Sequence, residues 1–427
     1  MKYLIILFIC FTCFFVNSQN KVDKSSFLPH LKAIQALQKN EIINRNELFK
    51  IYDYYSENNH DSLYFYANRI IELGIRYENW NYINCGKAFM VSFFNKNLKI
   101  DIATQLGQQS LEYFINKLDY EMISFVQNQI GISYTLSEDF EKAKLWFFKS
   151  LESGKQTGDY AANAVGLQNI AETHYRNGEY DSALHYINIF VDLIDIKKNR
   201  LSIGKTYNTI GNIYREKGDN ERAISYYKKS LLVGNNKESS VIKGNAYTNL
   251  GIMYFAEDPI LARSYFLKAL NVRKNIGLPT VVADSYLNLG HWYFAMEKMD
   301  SAIYYYRYML DFCTKNKHVD GQIEAYGAIK DYYEILKDND NAQRVSKKRE
   351  DLFSWSNEEK QKSLSQYVEN TNNLFLAEDS LSENNKRLAS YYQFDNQMGN
   401  FRTFALIILL ISSVIGISYY VYNKKGR

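Results

Sequence analysis

The chain is expected to be all-α, a superhelical solenoid of stacked helical hairpins, and three observations carry that expectation. An alanine recurs at Ala103, Ala143, Ala183, Ala223, Ala262, Ala302 and Ala342, always 40 residues apart except for one interval of 39, with Leu63 in the same place one period earlier. Twelve residues before most of these alanines (eleven before Ala262) stands a small residue followed three later by an aromatic. Gly131 precedes Tyr134, Gly211 precedes Tyr214, Gly251 precedes Tyr254 and Gly290 precedes Tyr293, while Ala171 holds the place before His174 and Tyr175. Within a unit the apolar residues fall on one helical stripe, as Ala223, Tyr227 and Ser230 do at i, i+4 and i+7. A hairpin cannot bury its apolar face alone, so units with this period must stack.

The elements follow in chain order. Met1 and Lys2 open an apolar run from Tyr3 to Val16, and Val16-Asn17-Ser18 places small residues where a signal peptidase reads, so residues 1–18 are expected to be a cleaved secretory signal. A retained spanning helix is the alternative, and the run is short for one. Cys10 and Cys13 lie in it without a convincing lipid-attachment motif. Residues 19–44 are expected to form an N-terminal helical cap, and 45–355 about eight hairpins. In one unit Ile210, Gly211 and Ile213 lie on a first helix and Arg215-Glu216-Lys217-Gly218-Asp219 forms a turn, with Gly218 free to take a positive φ. A second helix through Ala223 and Tyr227 follows. Gly211 facing Ala223 would let the two helices approach closely, with Tyr214 and Tyr227 filling space towards the next unit.

Residues 356–402 are rich in Ser, Asn, Gln and Glu. Leu374, Leu381 and Leu388 recur every seven residues there, but Thr371, Glu378 and Asn385 stand between them. The segment is either a stalk that pairs two copies as a homodimer or a solvated helical spacer. Thr403 to Tyr422 is an uncharged apolar stretch long enough at ~1.5 Å per residue to cross a bilayer. Lys424, Lys425 and Arg427 follow in a tail of residues 423–427. By the positive-inside rule the expectation is a single-pass inner (cytoplasmic) membrane protein, its repeats facing the periplasm and its tail the cytoplasm.

The repeated residues resemble the tetratricopeptide signature, Leu-Gly-x-x-Tyr followed by Ala, Phe and Ala. Leu250-Gly251-Ile252-Met253-Tyr254 with Ala262, Phe266 and Ala269 is one copy. Ile130-Gly131-Ile132-Ser133-Tyr134 with Ala143 and Phe147 is a second, and Leu289-Gly290-His291-Trp292-Tyr293 with Ala302 and Tyr306 a third. The usual period is ~34 residues, so the chain resembles the family's longer-period branch, its extra residues lengthening either the helices or the turns. The resemblance covers roughly residues 45 to 355 and implies a right-handed superhelix. It departs from the family in lacking the proline after the second helix, and Lys330 replaces the small residue in the last copy, as suits a terminal cap. The layout is also similar to the outer, input half of bacterial membrane sensors built on such repeats.

Composition narrows the function. A net charge of +4 over 427 residues, with interspersed lysines and glutamates, argues against nucleic acid as a partner. The six histidines form no metal-binding spacing. Gly204-Lys205-Thr206 ends like a phosphate loop, but Asn199 stands where the upstream glycine is required. No nucleophile elbow or isolated carboxylate pair occurs, so neither an enzyme nor a cofactor is expected. Cys85 and Cys313 lie more than five repeats apart and are not expected to form a disulfide.

The candidate site is a column of carboxamides before the Leu-Gly pairs: Gln129, Asn169, Asn249 and Asn288, with Asn208 one residue early. The resemblance places the first helix of each unit on a concave groove. Amides pointing into it carry both donors and an acceptor, and so suit the backbone of an extended peptide. Lys205, Asn212 and Arg215 share this face and would meet a carboxylate, while Phe255, His291 and Phe294 would add stacking surface. The expected function is a non-catalytic, membrane-anchored scaffold or receptor holding a protein or peptide ligand in the groove. The alternative is the sensory input subunit of a signalling system whose kinase or DNA-binding output is another chain.

Overall fold

A computed structural model describes residues 32–425 apart from residue 59, residue 159, 194–199, 233–236 and 276–278, with side chains of the last helix described only as far as Ser390. A short helix α1 (32–38) leads into α2 (Arg45–Asn58), α3 (His60–Arg76), α4 (Trp80–Lys96) and α5 (Ile100–Asn116). Then come α6 (Tyr120–Leu136), α7 (Phe140–Thr157), α8 (Tyr160–Arg176), α9 (Tyr180–Leu193), α10 (Arg200–Glu216) and α11 (Asn220–Ser230). The series ends with α12 (Lys237–Tyr254), α13 (Pro259–Lys274), α14 (Pro279–Ala295), α15 (Met299–Lys315), α16 (Val319–Ile335) and α17 (Asn339–Lys425). Among the described residues every element is helical.

The period is explained by helix length. Most of the helices are 17 residues long and are joined by three-residue turns, so two of each fill 40 residues; the extra length over the common repeat sits in the helices. The turns share one geometry. Their middle residue takes a left-handed φ, +77° at Gly218 and +76° at Gly178, but also +60° at Glu138 and +55° at Leu118. The third turn residue donates its N–H back to the helix just ended, Asp219 to the Tyr214 carbonyl at 2.8 Å and Asp139 to the Tyr134 carbonyl at 2.9 Å. It then caps the next helix, the Asp219 carboxylate accepting from the Arg222 N–H and that of Asp139 from the Lys142 N–H.

The chain divides into two compact units: residues up to Tyr54 with Phe65–Gly86 and Tyr367 onward form one, and Tyr55–Tyr64 with Lys87–Gln366 the other. The second unit holds the regular array, in which each helix from α5 to α16 packs on its neighbours in sequence. The recurring alanines mark the closest approaches: Ala103, Ala143, Ala183, Ala223, Ala262 and Ala302 are all 0% exposed. The glycines face something other than alanine. A Cβ on Gly211 would lie 2.5 Å from the Tyr227 ring, and the same holds for Gly131 on Phe147, Gly251 on Phe266 and Gly290 on Tyr306. The aromatic of the second helix is thus laid over the glycine of its own hairpin, which corrects the expectation that Tyr227 only fills the gap to the next unit. Tyr227 also joins Ala223 to Leu250 of the following hairpin in one cluster. Cys85 and Cys313 are free and buried.

In the first unit the Tyr82 hydroxyl donates to the Ile43 carbonyl at 2.5 Å. Thr371 of α17 is 1% exposed within a single chain, with Leu374, Phe375 and Leu381 half-buried along the same stripe. The face read as a homodimer seam is therefore largely covered without a second copy.

The membrane placement is overturned. Among the described residues no helix is long and apolar enough to cross a membrane, which contradicts a single-pass protein of the inner membrane with its repeats in the periplasm. The physical reason lies along α17. From Asn339 to Arg387 it carries charged or amide side chains on every turn, including Lys347, Lys348, Arg349, Glu358 and Glu359, which a hydrocarbon core would leave unsolvated. The apolar run Thr403–Tyr422 falls where α17 has no described side chains, and the signal segment 1–18 lies outside the described residues.

Candidate functional site

The first helices of the hairpins form one layer, α6 packing on α8, α10 on α12 and α14 on α16. Their carboxamides bond to one another across repeats. Asn169 Nδ2 donates to Asn128 Oδ1 at 2.7 Å and Asn249 Nδ2 to Asn212 Oδ1 at 3.3 Å. Asn212 Oδ1 also accepts from the Tyr227 hydroxyl at 2.8 Å. Asn208 spans the joint between α10 and α12, donating to the Ile242 carbonyl at 3.2 Å and accepting from Ser230 Oγ at 3.3 Å. Each bond fixes a rotamer, so the amides present a rigid polar surface and part of their capacity is already used.

Four of the expected residues come together. Lys205, Asn208, Asn212 and Asn249 line one open cavity of about 430 Å³ between α10 and α12. The others do not join them. Gln129 is 6% exposed and its Oε1 accepts from Ser92 Oγ at 2.6 Å, so it belongs to the packing between repeats. Asn169 belongs to the pair with Asn128, and Asn288 is half-buried outside the cavity. Arg215 turns aside to Glu216 at 2.8 Å, which removes it from the expected clamp with Lys205. Phe255 and Phe294 pack against the hydrophobic cluster around Phe266, Trp292 and Tyr306 instead of offering stacking faces. His291 Nδ1 lies 2.9 Å from the Tyr306 hydroxyl, and desolvation holds its pKa below the ordinary histidine value.

Three residues that sequence reasoning passed over complete the cavity: Asn245, Thr248 and Arg273. Arg273 is 5% exposed. It sits on α13 in the stripe of Ala262, Phe266, Ala269 and Leu270, and a charge on that apolar stripe was the signal available in the sequence. Gly244 makes room for it, since a Cβ there would lie 2.8 Å from Arg273 Nε. Among the described residues no group of His, Cys, Asp and Glu side chains could hold a metal ion.

Fold and inner face together define a helical-repeat protein of the kind that serves as a protein-interaction scaffold. Residues 202–275 match the family model described as "Tetratricopeptide repeat", and the chain is a tetratricopeptide-repeat protein. It is 25% identical over 118 residues to "Tetratricopeptide repeat protein 29" of Homo sapiens, a stretch covering 28% of this chain and 25% of that protein. It is 35% identical over 79 residues to "Photosystem I assembly protein Ycf3" of Prochlorococcus marinus, covering 18% of this chain and 40% of that one. The chain thus spans well under two thirds of either relative. Among solved structures, the apo form of RapI aligns with TM-score 0.48 and 14% identity over 63% of this chain and 76% of that one. The apo form of the quorum sensor NprR from B. thuringiensis aligns with TM-score 0.46 and 16% identity over 84% and 99%.

Proposed function

We propose that this protein binds an extended peptide segment of a partner protein on its inner face, across α10 and α12, without catalysing a reaction on it. The observation that carries the reading is the cavity walled by Asn208, Asn212, Asn245 and Asn249 with Lys205 at its rim. Carboxamides both donate and accept, as a peptide backbone does, and they carry no charge that a neutral backbone would have to match. Rigid amides held by their own hydrogen bonds also lower the ordering cost of binding.

The test uses heptapeptides selected from a random displayed library against the whole chain, with affinity read by fluorescence anisotropy. Removing Asn212 and Asn249 together, as Asn212→Ala and Asn249→Ala, deletes two to three peptide hydrogen bonds at ~1 kcal/mol each. Affinity should fall about tenfold or more, with helicity by circular dichroism retained. Unchanged affinity in a folded double variant would refute the reading.

A further inference from the structure

The cavity contains a cation that nothing in the protein neutralises at contact distance. Arg273 Nη1 donates to Ser285 Oγ at 3.0 Å and Nη2 to Asn245 Oδ1 at 2.8 Å, and both acceptors are neutral. Its buried Nε has no partner, nor does the buried Thr248 Oγ1 on the opposite wall. A guanidinium carries five N–H donors in a fixed fork, so three remain unused here. Among the described residues no carboxylate pairs with it, and burial pulls its pKa below the ordinary arginine value, Asp284 acting from further off in the opposite sense. A buried, unpaired charge is expensive to maintain. The arrangement is nonetheless built, because Gly244 supplies the only side-chain-free position that the Arg273 stem can cross.

We infer that Arg273, with Thr248 opposite it and Lys205 at the rim, is a carboxylate-binding site, and that the group it takes is carried by the segment bound on the inner face. The charge balance selects the class. One buried positive charge with free donors in a planar fork matches a planar monoanion, and a phosphate dianion would leave one negative charge unmatched inside the cavity. The source of the carboxylate, a peptide C-terminus or an acidic side chain, rests on the peptide reading above, whereas the pocket itself does not.

Three forms of the whole chain test this: wild type, Arg273→Gln and Asn245→Asp. Asn245→Asp places a carboxylate where Oδ1 already meets Nη2, so the protein satisfies its own arginine and keeps its fold. In acetate, against chloride at equal ionic strength, the thermal midpoint of wild type should rise while that of Asn245→Asp stays put. Three heptapeptide pools then separate the sources: one without Asp or Glu bearing a free C-terminus, its amidated twin, and an amidated pool with one central Glu. Wild type should prefer either the free-acid pool or the Glu pool over the amidated twin by at least tenfold, and both variants should lose that preference. Stabilisation by acetate with no peptide binding would retain the pocket and remove the peptide reading. Absence of any acetate effect or carboxylate preference in wild type, or a preference that survives in Asn245→Asp, would overturn the assignment.

Discussion

Two glycines at helix centres should respond in opposite ways to the same added methyl group. In Gly211→Ala the new Cβ would stand 2.5 Å from Cε1 and 2.6 Å from Cδ1 of Tyr227. Ordinary carbon contact begins near ~3.5 Å, so the ring must retreat by roughly 1 Å. It has little room, being 0% exposed and tied through its hydroxyl to Asn212 at 2.8 Å. Overpacking of this kind costs about 1–3 kcal/mol, and the strained hydrogen bond adds about 1 kcal/mol. The gain in helix propensity returns about 1 kcal/mol, leaving a net loss of about 2 kcal/mol. In Gly166→Ala the nearest atom to the new Cβ, on Leu151, is 3.7 Å away. There the propensity gain stands alone, and stability should rise by up to about 1 kcal/mol. Urea unfolding followed by circular dichroism at 222 nm, with midpoint and slope compared across both variants, measures the difference. If Gly211→Ala were as stable as wild type, the account of the aromatic lid over each glycine would be wrong.

Other consequences follow from the turns, caps and buried groups. Leu118 holds a φ of +55° on the surface, so Leu118→Gly should relieve strain and raise stability by about 1 kcal/mol in the same assay. Asp219→Ala removes the cap on the Arg222 N–H and should lower stability by about 1 kcal/mol. Because desolvation depresses the pKa of His291, the folded chain binds fewer protons there than the unfolded one. Its contribution to stability is therefore present above the ordinary value of ~6.5 and lost as pH falls through that value towards the lower folded one. His291→Gln should accordingly flatten the fall in urea midpoint between about pH 7 and pH 5.

The sequence was most legible where a physical constraint repeats. Alanine and glycine recur because helices approach closely at the same place in every hairpin, and copies seen together outweigh any single match. The left-handed turn could be read at Gly218 but was hidden at Glu138, Leu118 and Lys317, where side chains occupy the same backbone conformation. Whether the long period lay in helices or turns needed the structure, because local patterning does not fix where a helix stops to within a residue or two. The candidate site was half legible. Lys205, Asn208, Asn212 and Asn249 share a helical face across two repeats and do meet. Arg215 lies on that face in sequence too, yet its neighbour Glu216 captures it. Phe255 and Phe294 were misjudged because an aromatic near a helix end looks the same in sequence whether it faces a groove or the next hairpin. Arg273 was missed because the search followed first helices, while the residue reaches the cavity from a second helix past a glycine.

The central claim is that a peptide segment lies across α10 and α12. A photo-crosslinking residue placed at Thr209, which lines the cavity, should capture the selected peptides, and one at Ile260, 81% exposed and absent from the cavity wall, should not. Capture at Thr209 that disappears in the Asn212→Ala, Asn249→Ala background is the predicted result. Equal labelling at both positions, or labelling at Thr209 indifferent to loss of the two asparagines, would contradict it.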